Sequence, residues 1–185
     1  MSTTATAPAA TTTWTIDPVH SIAEFRVKHL MISNVRGQFT GVTGKLTFNP
    51  ADIAKSQVEA SIDVTTIDTR DPQRDTHLKS PDFFDAEKFP ALTFSSSRVT
   101  RTAHGTTLVS GPLTIHGVTR EVEFTVEGPT PPVKDPWGNT RVGVAASTKI
   151  DRREFGLTFN AAMETGGVMV GEEVAITLEL EFVQG

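Results

Sequence analysis

The chain has 185 residues and a formal net charge of −5, from 17 Lys and Arg against 22 Asp and Glu. This length suits one domain with a sizeable core, and an acidic balance without a basic run argues against nucleic acid as a partner. Cysteine is absent, which excludes a disulfide framework, a thiolate nucleophile and a cysteine metal site.

Residues 1–13, MSTTATAPAATTT, offer no apolar face to bury, and we predict a disordered tail. They lack the cationic start and apolar run of a secretory signal. No stretch of the sequence reaches the ~20 apolar residues of a transmembrane helix. We therefore expect a cytoplasmic protein that is not an integral membrane protein, with a single domain over residues 14–185.

The stretch from Trp14 to Phe48 predicts two long antiparallel strands. In the first strand Phe25, Val27 and His29 fall on one face and alternate with charged residues, the pattern of a half-buried strand. In the second strand the apolar residues change parity near Gly41, which predicts a bulge there.

Glycines on the inner face of the second strand lie close to aromatic residues. Gly37 precedes Phe39 by two positions, and a glycine there leaves room for a bend or for a guest beside Phe25 and Phe39. We interpret this room as space for an apolar chain. A third strand with clean alternation follows over residues 58–64.

The period-two pattern stops between residues 68 and 89. Asp71 and Ser80 each precede a proline, the arrangement of an N-cap and a first helical position. This predicts two short helices, over residues 72–79 and 81–87.

The second predicted helix carries Phe83 and Phe84, which a short exposed helix would not keep without something to cover. We expect the helical insertion, about residues 72–88, to be a lid over one end of the sheet.

Alternation then predicts five further strands, with the turn of a hairpin at His116-Gly117. They cover residues 92–96, 107–115, 118–126, 142–148 and 173–182. Eight strands with one apolar face each predict an all-β antiparallel barrel or sandwich. An eight-stranded barrel is just wide enough to be filled by side chains or to hold one small ligand. Eleven phenylalanines and no tyrosine suit a dry interior.

The histidines offer two interpretations. Those at strand or helix ends, His20, His29, His77 and His116, could converge on a metal, but no two have a spacing that sets local ligand geometry. Rim histidines that bond to loop backbone are the commoner outcome. His29 falls on the inner face if its strand is regular, either as a satisfied core residue or as a polar contact for a ligand.

Nucleophilic catalysis has little support in the sequence, because no Gly-x-Ser-x-Gly elbow occurs. Cations near the insertion are more suggestive. Arg74 and His77 lie in its first helix, and Arg152-Arg153 precede a second apolar loop. They are either solvated, ion-paired side chains or contacts for an anionic head group at a rim.

Five motifs in this order resemble the YceI-like polyisoprenoid-binding family, a lipocalin-like group. They are WTIDPVHSIAEFRVKHL, the GxF at residues 37–39, RDTHLKSPDFFDAEKFPALTF, SGPLTIHGVTREV and DRREFGL. The resemblance implies an eight-stranded antiparallel lipocalin-like barrel whose cavity holds an isoprenoid chain, such as a prenyl phosphate or a quinone. It implies a homodimer for some members. Some members are secreted to the periplasm, which the tail of this chain does not favour.

The sequence therefore favours a non-catalytic carrier of an isoprenoid lipid, with no cofactor, no metal and no catalytic residue. An alternative is a metal-dependent enzyme or a stress-related protein that uses the rim histidines, and a third is a scaffold with a filled core. The residues expected to contact the ligand are Phe25, Val27, His29, Phe39, Leu46, Arg74, His77, Phe83, Phe84, Phe94, Phe124, Phe155 and Leu178.

Overall fold

The computed structural model describes residues 10–162 and 166–185. These residues form one antiparallel sheet, one α-helix and short 3₁₀ turns. The strands are β1 (Thr12–Ile16), β2 (Ile22–His29), β3 (Ser33–Phe39), β4 (Val42–Phe48), β5 (Gln57–Asp63), β6 (Ile67–Asp68), β7 (Ala91–Ser95), β8 (Arg98–Arg101), β9 (Thr107–Ile115), β10 (Val118–Glu127), β11 (Val133–Lys134), β12 (Thr140–Asp151) and β13 (Val170–Gln184). The helix is α1 (Pro72–Lys79), and the 3₁₀ turns are Ile53–Lys55, Val64–Thr66 and Arg152–Phe155.

The sheet closes on itself. Its strands follow the order β12-β10-β9-β7-β5-β4-β1-β13, and β13 pairs back onto β12 along nearly its whole length. This ring is a closed eight-stranded antiparallel barrel, which confirms the predicted fold class.

The two long strands predicted between residues 14 and 48 are each broken in two. One edge of β13 pairs first with β2 and then with β1, so these two strands share one position in the ring. β3 and β4 share the next position, because β3 pairs with β2 and β4 with β1. The expected bulge near Gly41 is therefore a strand break, and Gly41 N donates to Thr66 Oγ1 there.

The first predicted helix is confirmed at both ends. Asp71 is its N-cap, since its carboxylate accepts from the backbone N–H groups of Gln73 and Arg74, and Pro72 occupies the first position. α1 ends at Lys79, where the Ser80 N–H bonds to His77 O.

The second predicted helix, over residues 81–87, is wrong, because this segment forms turns. Its N–H groups bond back to the end of α1, Phe84 N to Leu78 O and Ala86 N to Lys79 O. Asp85 has a positive φ of 46°, which a continuing α-helix does not allow.

Two shorter elements also differ from the prediction. β1 begins at Thr12, inside the predicted tail, while residues 1–9 of that tail lie outside the described residues. β8 was not predicted, since its sequence Arg-Val-Thr-Arg offers a single apolar side chain.

Most of the buried apolar residues form one cluster, in which Phe155, Phe182, Val42 and Val64 are almost fully enclosed. The helical residues that the structure describes nowhere reach the length and apolar character that crossing a membrane requires.

Candidate functional site

An apolar cavity of about 260 Å³ runs through the barrel between its two ends. This volume lies just below the ~300–1,000 Å³ usual for small-molecule sites. At one end the wall includes Phe83 and Phe84 of the insertion, and at the other it includes Ile53 and Pro129. Because each strand turns alternate residues inward, the wall is almost entirely hydrocarbon.

Most of the residues expected to contact a ligand line this cavity. Those that do are Phe25, Val27, Phe39, Leu46, Phe83, Phe84, Phe94, Phe124 and Leu178. Their rings also pack on one another: Phe94 and Phe124 lie 5.1 Å apart in an edge-to-face arrangement, and Phe25 and Phe39 lie 5.7 Å apart.

Four of the residues expected to contact a ligand lie outside the cavity wall, namely His29, Arg74, His77 and Phe155. His29 closes β2, where it pairs with Ser33 and Val170 near the hairpin turn. Phe155 is completely buried behind the wall.

The other two belong to the insertion and are committed to local bonds. Arg74 donates through Nε to Thr69 Oγ1 and through Nη2 to Thr69 O, both at 2.7 Å. His77 Nε2 lies 2.8 Å from Asp82 Oδ2, and its ring meets that of Phe159 edge-to-face at 4.9 Å.

The glycines of the second predicted strand do not leave space for a guest, which corrects that interpretation. A Cβ built at Gly37 would lie 2.3 Å from Phe25 Cζ and 2.8 Å from Thr69 Cγ2. A Cβ at Gly41 would lie 2.8 Å from Thr66 Cγ2. Both positions are already filled by the protein, and the cavity lies farther inside.

The insertion covers one end of the cavity, as expected of a lid. Leu78, Phe83 and Phe84 contribute to the wall, and Phe84 packs edge-to-face on Phe39 of β3 with ring centroids 5.8 Å apart. On the opposite side Phe83 meets Phe159, at 5.0 Å, from the loop that follows the 3₁₀ turn. The apolar loop that follows Arg152-Arg153, residues 156–171, thus contacts the insertion, although residues 163–165 lie outside the described part of the chain.

Arg152 is a buried cation beside the same end of the cavity. Its side chain borders the cavity, and the residue is only 4% exposed. The guanidinium donates to four backbone carbonyls, those of Gly171, Leu157, Phe159 and Val170. Burial lowers the pKa of Arg152 from its usual value, and the carbonyls compensate the charge only in part.

Arg152 and Arg153 are adjacent cations in the sequence, but the structure places them in different surroundings. Arg153 is exposed and binds the carboxylates of Asp151 and Glu172. Its hydrogen bond holds the pKa of Asp151 down to about 2. Nothing in the local sequence marks Arg152 as the buried member, because its carbonyl partners belong to the loop after the 3₁₀ turn and to the start of β13.

Other wall residues were open to prediction. Ile62 in the third predicted strand and Val144 and Ala146 in the seventh lie on inward positions of alternating segments and line the cavity. Ile53 and Pro129 at the far end come from connections without a period, so no sequence signal places them.

The histidines do not converge on a metal among the described residues. The one group of three candidate ligand side chains there contains a single histidine, with Asp17, His20 and Glu181. Arg141 already lies between these carboxylates and donates to Asp17, Glu181 and Asp135. Its hydrogen bond, followed by that from His20, holds the pKa of Asp17 well below its usual range.

Comparison with known proteins assigns the chain to a family. A family model described as "YceI-like domain" matches residues 14–182. The chain belongs to the YceI-like family.

Proteins similar to this chain come from several bacteria. The UPF0312 protein SA2479 of Staphylococcus aureus is 38% identical over 174 residues, which cover 92% of this chain and 97% of that protein. Among solved structures, Burkholderia cenocepacia BcnA aligns with a TM-score of 0.74 and 26% identity, over 90% of this chain and 98% of that one.

A second solved structure is similar to this chain in fold alone. A polyisoprenoid binding domain from Saccharophagus degradans, described as implicated in plant cell wall breakdown, aligns with a TM-score of 0.66 at 15% identity. The alignment covers 93% of this chain and 98% of that domain. This YceI-like chain therefore shares its fold with a domain that binds polyisoprenoids.

Proposed function

We propose that this YceI-like protein is a non-catalytic carrier that holds an isoprenoid lipid inside its barrel. The observation that supports this most directly is the cavity wall, which is hydrocarbon from the insertion at one end to Ile53 and Pro129 at the other. Such a wall offers contact to an extended apolar chain and few directional bonds to anything else.

Burial of the isoprenoid chain can supply most of the binding free energy of such a carrier. Burial contributes ~0.8 kcal/mol per carbon, so each isoprene unit gives roughly 4 kcal/mol before other costs. About four buried units would match or exceed the ~4–15 kcal/mol that association costs. Affinity can therefore come from the tail, and the protein tolerates variation in the head group.

The charges around the cavity restrict where a head group can lie. Arg152 is the buried cation of the described wall, and four of its five N–H donors already serve backbone carbonyls. A phosphate inside the cavity would find few donors, so a prenyl phosphate would keep its head at an opening. An uncharged quinone ring could lie within the wall.

The relationship to other proteins agrees with this proposal. The fold is shared with a domain described as polyisoprenoid binding, and the lining of this chain supplies the apolar surface such a ligand needs. No histidine occurs among the described wall residues. We also expect a homodimer in a cytoplasmic location, and light scattering of the purified protein tests the first of these.

A pair of substitutions on one strand tests the proposal. Ala146 faces the cavity and Ala145 faces outward on the same strand, β12. Titration with a fluorescent prenyl lipid should show binding by the wild type and by Ala145→Phe, and loss of binding by Ala146→Phe. Equal binding by both variants, or no binding by the wild type, would contradict the proposal.

A further inference from the structure

The turn that joins β2 to β3 exposes apolar side chains where a turn normally carries polar ones. This hairpin tip, residues 30–32, is Leu-Met-Ile. Met31 is 55% exposed and Ile32 is 82% exposed. Adjacent exposed apolar residues of this size cost solvation free energy and are a feature of interaction surfaces.

The same tip has an unfavourable backbone. Leu30 and Met31 have φ values of 50° and 60°, the left-handed region that tight hairpin turns require and that Asn and Gly fill most easily. A bulky residue there is strained. The chain thus keeps two large apolar residues at positions where smaller or polar ones would be more stable, which points to a role outside the fold.

A positive surface lies immediately behind the tip. Arg26, Lys28 and Arg36 are exposed on the outer face of the hairpin, and Arg26 lies directly across from Arg36. Like charges in facing positions repel. None of the three forms an ion pair with a carboxylate of the described residues. We call these three residues the basic ridge.

The carboxylates near the basic ridge leave its charge in excess. Glu24 is the acidic side chain of the same outward row of β2, at the base of the hairpin, opposite Gln38. On the neighbouring strand β13, Glu172 is paired with Arg153 and Glu173 with Lys149. The local excess is positive in a chain whose net charge is −5.

The hairpin tip adjoins the end of the cavity that the insertion covers. Leu30 N donates to Met169 O, and His29 pairs with Val170. Val170 lines the cavity and also accepts a hydrogen bond from Arg152. A partner bound at the tip would therefore lie next to the insertion and the buried arginine.

We propose that the hairpin tip docks on the surface of an anionic lipid membrane. Met31 and Ile32 enter the interfacial layer, and the basic ridge binds the anionic head groups, the combination that holds peripheral proteins on membranes. Docking is independent of the cargo, and its use in exchange of an isoprenoid rests on the carrier function proposed above. In that case the cavity loads and unloads at the insertion end.

Flotation with lipid vesicles tests the docking. The wild type should bind vesicles of phosphatidylcholine with phosphatidylglycerol at low salt, and lose binding to phosphatidylcholine alone or at high salt. Met31→Gly/Ile32→Ser should abolish binding, and since glycine accepts the left-handed backbone, the fold should be kept. Arg26→Gln/Lys28→Gln should weaken binding by roughly fivefold for each cation removed.

Two exposed residues outside the hairpin serve as matched controls. Trp137 is 82% exposed in the turn between β11 and β12, and Lys45 is an exposed cation on β4. Trp137→Ser and Lys45→Gln should bind vesicles like the wild type. Vesicle binding that survives the hairpin variants, or that Trp137→Ser abolishes, would overturn the proposal.

Two further measurements distinguish membrane docking from self-association of the chain and from the carrier function. The membrane proposal fails if the wild type does not bind vesicles and the hairpin variants differ from it in molar mass by light scattering. The tip would then be an interface between copies of the chain. Titration with a prenyl lipid in solution should be unchanged in the hairpin variants. A wild type that binds vesicles but no prenyl lipid would refute the carrier function and leave the docking proposal intact. A wild type that binds a prenyl lipid but no vesicles would refute the docking proposal and leave the carrier function intact.

Discussion

The ring of Phe25 occupies the volume that a side chain at Gly37 would need. The two residues face each other across β2 and β3, and a Cβ at Gly37 would lie 2.3 Å from Phe25 Cζ. The glycine therefore makes room for a ring of the cavity wall. Gly37 thus determines the position of the Phe25 ring and does not leave a gap for the ligand.

Gly37→Ala should destabilise the protein and weaken binding of a prenyl lipid. The added methyl group must displace Phe25 toward the cavity, and such overpacking costs about 1–3 kcal/mol. Urea unfolding measures the first effect and titration the second.

Gly143→Ala is the matched control, because a Cβ at Gly143 meets its nearest neighbour, Thr130, at an ordinary 3.5 Å. It should change both measurements little. Equal effects of the two substitutions would show that the Phe25 contact is not what requires a glycine at position 37.

Arg152→Met should be much more harmful than the neighbouring Arg153→Met. Removing the guanidinium leaves four carbonyls without their donor, and losing charge-assisted bonds in a buried site costs about 3 kcal/mol or more. Arg153 is exposed, and its ion pairs contribute little.

Urea unfolding of both variants measures this difference. Hydrogen exchange should also quicken in residues 156–160 and 170–171 of Arg152→Met, where the carbonyl partners lie. If the two substitutions lower the free energy of unfolding by the same small amount, Arg152 does not stabilise the loop of residues 156–160.

The stability of the protein should fall in acid because of Asp17. Arg141 donates to Asp17 at 2.6 Å and holds the pKa of Asp17 well below its usual 3.8. A folded-state pKa below the unfolded one stabilises the protein above about pH 4, and this stabilisation is lost as the pH falls through the folded-state pKa.

Arg141→Gln should therefore lower the urea midpoint strongly at pH 7 and progressively less below about pH 4, where the carboxylates take up protons in the unfolded chain. Lys45→Gln, at an exposed site without an ion pair to a described residue, should show no such pH dependence. A deficit in Arg141→Gln that stays constant from neutral pH to acid would contradict the assignment.

Asp75→Ala should loosen the insertion over the cavity. Asp75 Oδ1 accepts from both the N–H and the hydroxyl of Thr69, at 2.9 and 2.5 Å, and Thr69 is buried. Leaving that N–H without a partner costs about 1–3 kcal/mol.

We expect faster hydrogen exchange in α1 and faster release of a bound prenyl lipid from Asp75→Ala. Thr76→Ala, which removes a hydroxyl bond to Pro72 O on the exposed side of α1, is the control and should leave the release rate unchanged. If both variants release the lipid like the wild type, the insertion does not control access to the cavity.

Local signals in the sequence were sufficient for much of the fold. Asp71 followed by Pro72 determines the start of α1, and the alternation around His116-Gly117 determines the hairpin of β9 and β10 with its bounds. The second predicted helix is wrong because the chain turns at Ser80, and the N–H groups of Phe84 and Ala86 bond back to Leu78 O and Lys79 O at the end of α1, a turn that the Ser80-Pro81 pair does not signal.

The site was predictable where it depends on alternation and unpredictable where it depends on distant backbone. Phe94, Phe124 and Leu178 line the cavity because strand period alone turns them inward. Arg152 illustrates the opposite case, because two of the carbonyls that accept its N–H groups, those of Val170 and Gly171, lie 18 and 19 residues farther along the chain.

The most direct test of the carrier function is organic extraction of the purified protein followed by mass spectrometry. Wild-type protein purified without detergent should yield a prenyl lipid in near-stoichiometric amount, and Ala146→Phe prepared in parallel should yield little. A wild type that contains no lipid and also binds no added prenyl lipid, with its barrel shown to be folded by circular dichroism, would contradict the central claim.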